Sequence, residues 1–200
     1  MKPINRPTGT EGFTLVEVLI AVAILAILAA IASPNLPGLV VTYRVNSATG
    51  QIATELLLAR TKAISQNSRS IVTFYAPAGS PHRYEIHDDT NGNGTRDVGE
   101  EVKSIILPAG IQFGANAGIN GVDNGSIHEN GLNLGSDNAI GFDDRGYASE
   151  TGALYLVPSG DLFSPTRNDR MRAVSILQAT GLVRGWRHRT GAANPGPWEE

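Results

Sequence analysis

Cysteine is absent from the 200 residues. That removes disulfide staples, thiolate zinc sites and a cysteine nucleophile together, so the core must hold by packing alone. Aromatics are sparse at 6%, and a formal net charge of −3 excludes a generally basic nucleic-acid binder. The four histidines, His82, His87, His128 and His188, are scattered along the chain. The zincin, phosphate-loop and nucleophile-elbow patterns are missing as well, and no enzyme is expected.

What is present is unevenly spread. From Val18 to Ala32 every side chain is Val, Leu, Ile or Ala, and counted back to Phe13 the run reaches about 20 residues, the length that crosses a bilayer as a helix. One carboxylate, Glu17, sits in it. A charge there costs on the order of 3 kcal/mol at the membrane centre and less near the ends, so it marks a functional position. An acid in a first helical turn also meets the positive end of the macrodipole. Residues 1–12, MKPINRPTGTEG, are polar and carry Lys2 and Arg6, and they read as a leader. Cleavage after the run would need a hydrophobic region well beyond the roughly 7–15 residues of a secretory signal. Cleavage between Gly12 and Phe13 leaves the helix on the mature chain. Since the next cation after the run is Arg44, the positive-inside bias keeps the leader cytoplasmic and turns the rest outward.

Pro34, Pro37 and Gly38 then end or bend the helix. After them Val41, Val45, Ala48, Ile52, Leu56, Ala59 and Ala63 recur at spacings of three and four, one helical face, with Arg44, Gln51, Glu55 and Lys62 opposite. From Ser70 the chain breaks into β-rich runs, SIVTFYA, HRYEIH, EVKSIIL, IGFDDRGYA, ALYLVP, AVSILQA and LVRGWRHR, enough for two small sheets. Residues 114–138 hold six glycines and read as a long loop, functional or mobile. The tail TGAANPGPWEE reads as irregular. The fold class expected is α+β: a leader at 1–12, a transmembrane helix at 13–33, its amphipathic continuation at 34–67, and a β-rich head at 68–200.

Charge is divided too. Residues 82–150 carry twelve Asp or Glu against four Lys or Arg, whereas 167–189 carry six Arg against Asp169 alone, so an anionic partner is expected at the latter. Within the acidic part, DTNGNGTRDVGE at 89–100 fits the spacing of a calcium loop, with Asp89, Asn91, Asn93, Asp97 and Glu100 offering side-chain oxygens and Thr95 its carbonyl. The other reading is a solvated hairpin end, because Asn-Gly pairs make tight turns without metal. Within the basic part, GLVRGWRHRTG at 181–191 gathers Arg184, Arg187 and Arg189 around Trp186. On a strand Arg184, Trp186 and His188 face one way, with Val183, Arg187 and Arg189 opposite. Phosphate pairing and base stacking would make this a DNA contact. A basic edge strand that docks on an acidic neighbour is the other reading.

The hexapeptide Gly12-Phe13-Thr14-Leu15-Val16-Glu17, the apolar run after it and Pro34 at the twenty-second place beyond the cut resemble the type IV pilin and type II secretion pseudopilin superfamily. LLLARTKAISQNSRSIVTF resembles the stretch where the first helix passes into the first strand in the H-type minor pseudopilins, the GspH/FimT family. The resemblance implies a pilin-like fold, with a prepilin peptidase that cuts after Gly12 and methylates Phe13. It also implies that Glu17 pairs with the Phe13 amine of a neighbouring subunit. Further implications are an inner-membrane anchor with a periplasmic head, and as partners other pilins, the assembly platform and a cytoplasmic ATPase. The function implied is a structural part of type II secretion. A minor type IV pilin serving pilus biogenesis or DNA uptake is the alternative. DNA-uptake relatives carry Gly-Arg-x-Arg near the C-terminus, matched here by Gly181 and Arg184 but with Leu182 in place of the first arginine.

Overall fold

A computed structural model describes residues 12–32, 36–164, 167–189 and 198–200. Most of the expected leader, Pro34 and residues 190–197 of the tail lie outside the described residues. The chain divides into two units, Met1–Val40 and Val41–Glu200.

Helix α1, Leu15–Ala32, has 18 residues and starts two positions later than the expected 13–33 span. Among the described residues no helix is long and apolar enough to cross a membrane. At 1.5 Å per residue, α1 reaches about 27 Å against a hydrocarbon core of roughly 30 Å. Its large side chains, from Leu15 to Ile31, are exposed on all sides. Helix α2, Leu36–Gln66, follows. Pro37 occupies its second position, where a missing N–H breaks no intrahelical bond.

In the second unit the predicted stripe of α2 is the core-facing one. Val45, Ala48, Ile52, Leu56, Ala59 and Ala63 are buried, and Val41 partly so. They pack on an antiparallel head. One sheet runs in the order β3 (Val102–Ile106), β2 (Arg83–Asp89), β1 (Arg69–Tyr75) and β6 (Ala139–Phe142). The other runs β10 (Trp198–Glu199), β9 (Leu182–His188), β8 (Arg172–Leu177), β7 (Gly152–Pro158) and β4 (Ile111–Phe113), with β5 (Leu132–Asn133) also paired to β7. Every strand expected from the sequence is found. The inner faces of both sheets meet α2 in one core, where Phe74 of β1 stands edge-on to Phe113 of β4 with ring centroids 5.7 Å apart.

The polar side of α2 is not a free surface. Glu55 pairs with Lys103 at 2.5 Å, and Lys62 pairs with Asp88 and, at 2.7 Å, with Glu101. Arg60 Nε donates to the Gly146 carbonyl at 2.9 Å. These contacts join the helix to the edge of the first sheet and to the turn after β6.

A second core lies on the far face of β7, whose alternate residues Ala153, Tyr155 and Val157 are buried there with Met171, Ala173 and Trp198. Ile119, Val122 and Ile127 of the 114–138 segment close over them. Val122 N–H donates to the Tyr155 hydroxyl at 3.1 Å, and His128 N–H donates to Asn133 Oδ1 at 2.8 Å. The segment read as a functional or mobile loop is thus a packed cover. Its apolar residues follow no helix or strand period, which hid their role.

A half-buried imidazole, His82, and a buried one, His188, give the head a pH dependence. Burial pushes His82 and His188 below their ordinary value of 6.5, opposed at His188 by Asp169. His82 Nδ1 accepts the Phe113 N–H at 2.9 Å, which needs a neutral ring. Because the unfolded chain then binds more protons than the folded one below about pH 6.5, stability is full above that value and falls as pH drops toward the lowered native pKa values. Calorimetry is expected to find a lower Tm at about pH 5 than at about pH 7.5. That slope should flatten when His82→Ala and His188→Ala are combined, and an unchanged slope in the double variant would assign it to other groups.

Candidate functional site

The start of α1 is a capping box. Thr14 stands just before the helix and Glu17 three residues on. Thr14 N–H and Oγ1–H donate to Glu17 Oε2 at 2.8 and 2.9 Å, and Glu17 N–H donates back to Thr14 Oγ1 at 3.2 Å. Thr14 is the residue that sequence reasoning passed over, although Thr-x-x-Glu before an apolar run is a readable signal. Glu17 Oε1 is left free of these bonds. Phe13 is 88% exposed. At Gly12 an added Cβ would meet nothing within 4 Å among the described residues. The local fold therefore does not require glycine at position 12.

The 89–100 segment is the hairpin end between β2 and β3, and its oxygens turn inward. Asn91 Oδ1 accepts Asn93 N–H at 3.0 Å, Asn93 Oδ1 accepts Thr95 N–H at 2.7 Å, and Asp89 Oδ2 accepts Gly94 N–H at 2.9 Å. Both Glu100 oxygens accept backbone N–H groups, from Thr90 at 3.0 Å and Asp97 at 2.9 Å. The Asn91 and Asn93 amides both donate to Asp97, at 2.7 and 2.6 Å, and hold its carboxyl below the usual range. Among the described residues no group of three or more His, Asp or Glu is arranged to hold a metal. The set proposed from spacing, Asp89, Asn91, Asn93, Thr95, Asp97 and Glu100, is held by these hydrogen bonds as a hairpin end, the other reading of the segment, while Asp89 Oδ1 is buried with no hydrogen-bond partner among the described residues. Millimolar calcium or EDTA is expected to move the Tm by less than about 2 °C, whereas Asp97→Ala, which strips the loop of its central acceptor, should lower it. A saturable rise in Tm with calcium would reverse this reading.

The six arginines of 167–189 are all engaged. Arg170 and Arg167 meet the buried Asp161 at 2.6 and 3.6 Å. Arg172 is buried and donates to Asn46 Oδ1 at 2.7 Å and to the Asp169 and Met171 carbonyls at 2.8 Å. Arg189 and Arg187 reach Glu199 at 2.5 and 3.1 Å and hold its carboxyl below the usual range, and Arg184 lies 3.6 Å from Glu200. Residues 198–199, read as irregular, form β10 and pair with Arg187 and His188, on the side that sequence reasoning left as an edge. The signal for this pairing was charge complementarity between WEE and RGWRHR, which no local period reveals. Trp186, the expected stacking surface for a base, donates its Nε1–H to Ser175 Oγ at 2.8 Å and packs on the second core.

Comparison with known proteins places these features. Residues 48–181 match the family of type II transport protein GspH, and residues 9–33 match the prokaryotic N-terminal methylation motif. Among solved structures the chain is similar to the minor pseudopilin EpsH of the Vibrio cholerae type 2 secretion system, at 15% identity and TM-score 0.44, over 72% of this chain and 97% of that one. It is also similar to the type IV minor pilin FimU of Pseudomonas aeruginosa, at 14% identity and TM-score 0.42, over 76% and 93%. No curated protein sequence matches it significantly. With two thirds of its length inside one family and the methylation motif at its first helix, the chain belongs to the GspH family of pilin-like minor pseudopilins, which are structural proteins and not enzymes.

Proposed function

We propose that the chain is a minor pseudopilin of a type II secretion system, held in the inner membrane by α1 with its head in the periplasm, and drawn into a short fibre with other pseudopilins. The match of residues 48–181 to type II transport protein GspH carries this reading. The helix start supports it. A glycine at position 12 that the fold does not need suits recognition by a prepilin peptidase, which would cut before Phe13 and methylate it. Counted from Phe13 the apolar run reaches about 20 residues, the length of a bilayer span, and a helix whose large side chains are exposed on all sides suits lipid first and neighbouring pilin helices afterwards. In the fibre the Glu17 carboxylate would meet the Phe13 amine of the next subunit at low dielectric.

Deleting the gene tests the reading. Folded exoproteins should fail to reach the medium and return with a plasmid copy, while pili and transformation stay intact. Normal secretion with lost pili or DNA uptake would move the subunit to the type IV pilus. The engagement of Arg184, Arg187 and Arg189 by Glu199 and Glu200 weighs against a DNA contact as the main role.

A further inference from the structure

Strand β9 is covered on its outer side by residues 198–200. Among the described residues two positions pair across it, Trp198 with His188 and Glu199 with Arg187. The Trp198 side chain enters the second core beside Tyr155 and His188, with ring centroids 5.5 and 5.1 Å away, and its indole N–H donates to the Asn120 carbonyl at 2.8 Å. Next along the strand Glu199 takes Arg189 and Arg187, and Glu200 approaches Arg184. The surface therefore reads an extended segment in order: one aromatic residue in a slot, then two acids against arginines, with backbone pairing along the edge.

The hold is light. The five charged side chains are between 36% and 65% exposed, and exposed ion pairs contribute about 0–1 kcal/mol each. Among the described residues the pairing offers few ladder bonds, and Trp198 supplies most of their grip. Such short, exposed pairings belong to the low-stability end of a fold.

We propose that β9 is a strand-docking edge for an extended peptide segment of another protein, aromatic and then acidic in sequence, whose place the chain's own residues 198–200 fill until it is displaced. Peptide docking by strand addition uses main-chain hydrogen bonds for affinity and side-chain slots for choice. A nucleic acid could meet the arginines but would leave the β9 backbone edge unpaired. The inference is independent of which machine the subunit serves.

Fluorescence anisotropy tests it with the full chain and a labelled synthetic peptide of residues 194–200. In the wild type the tethered segment competes at an effective concentration on the order of millimolar, so the peptide should bind weakly. Trp198→Ala, which loosens the resident segment and empties its slot, should bind the peptide at least tenfold more tightly. Adding Arg187→Glu and Arg189→Glu should abolish that binding. If circular dichroism shows that Trp198→Ala unfolds the head, Glu199→Lys with Glu200→Lys, both at surface positions, takes its place. Equal affinity in wild type and variants, or no binding to a folded variant, overturns the proposal. Tighter binding of a single-stranded oligonucleotide than of the peptide by the same variant also overturns it and assigns the edge to nucleic acid.

Discussion

Glu17→Ala is expected to cut incorporation into filaments more than tenfold while the chain stays in the membrane fraction. Removing one partner of a buried ion pair costs about 3–5 kcal/mol, because the other charge is left without a counter-ion. The capping box adds a second loss, since Thr14 N–H gives up its acceptor, typically about 1 kcal/mol at a helix start. The two effects separate in Glu17→Gln. Glutamine serves the capping box as well as glutamate does but carries no charge to offer the Phe13 amine. If the charge matters, Gln behaves like Ala in sheared-filament immunoblots. If Gln restores incorporation, the carboxylate is a cap and the pairing role falls.

Gly181→Ala is expected to destabilise the head by roughly 2–4 kcal/mol, a drop in Tm of roughly 5–15 °C. Gly181 holds a φ of +59°, and a Cβ there would overlap the Gly146 carbonyl oxygen and crowd Arg60 Nε. That carbonyl is the one Arg60 of α2 binds, so the substitution disturbs the turn before β9 and an anchor of the helix at once. Gly185, four residues on, has nothing within 4 Å of its would-be Cβ, and Gly185→Ala should stay within about 0.5 kcal/mol. Urea melts of the two variants make the comparison. Similar curves would show that the crowding at position 181 relaxes without cost. The glycine that matched a DNA-uptake motif in the sequence thus has a structural reason of its own.

Features written in contiguous windows were legible. The three- and four-residue spacing from Val45 to Ala63 is the buried stripe, and the seven β-rich runs are seven of the ten strands among the described residues. The hexapeptide from Gly12 to Glu17, inside the match to the methylation motif, stood out because adjacent positions had to agree. Features joined across the chain were not legible. Tyr155 looked like any strand aromatic until Val122 and Trp198, 33 and 43 positions away, closed on it. Arg184, Arg187 and Arg189 looked free because their acids come after a stretch rich in Gly and Pro.

The links along α2 have a mechanical meaning. Asn46, Glu55, Arg60 and Lys62 tie the helix to β8, to β3, to the turn after β6, and to Asp88 and Glu101, over about 24 Å of its axis. A pull along that axis loads all four ties in shear and simultaneously, whereas a zipper would surrender them singly. A force along α2 would therefore move the head as fixed cargo rather than peel it away.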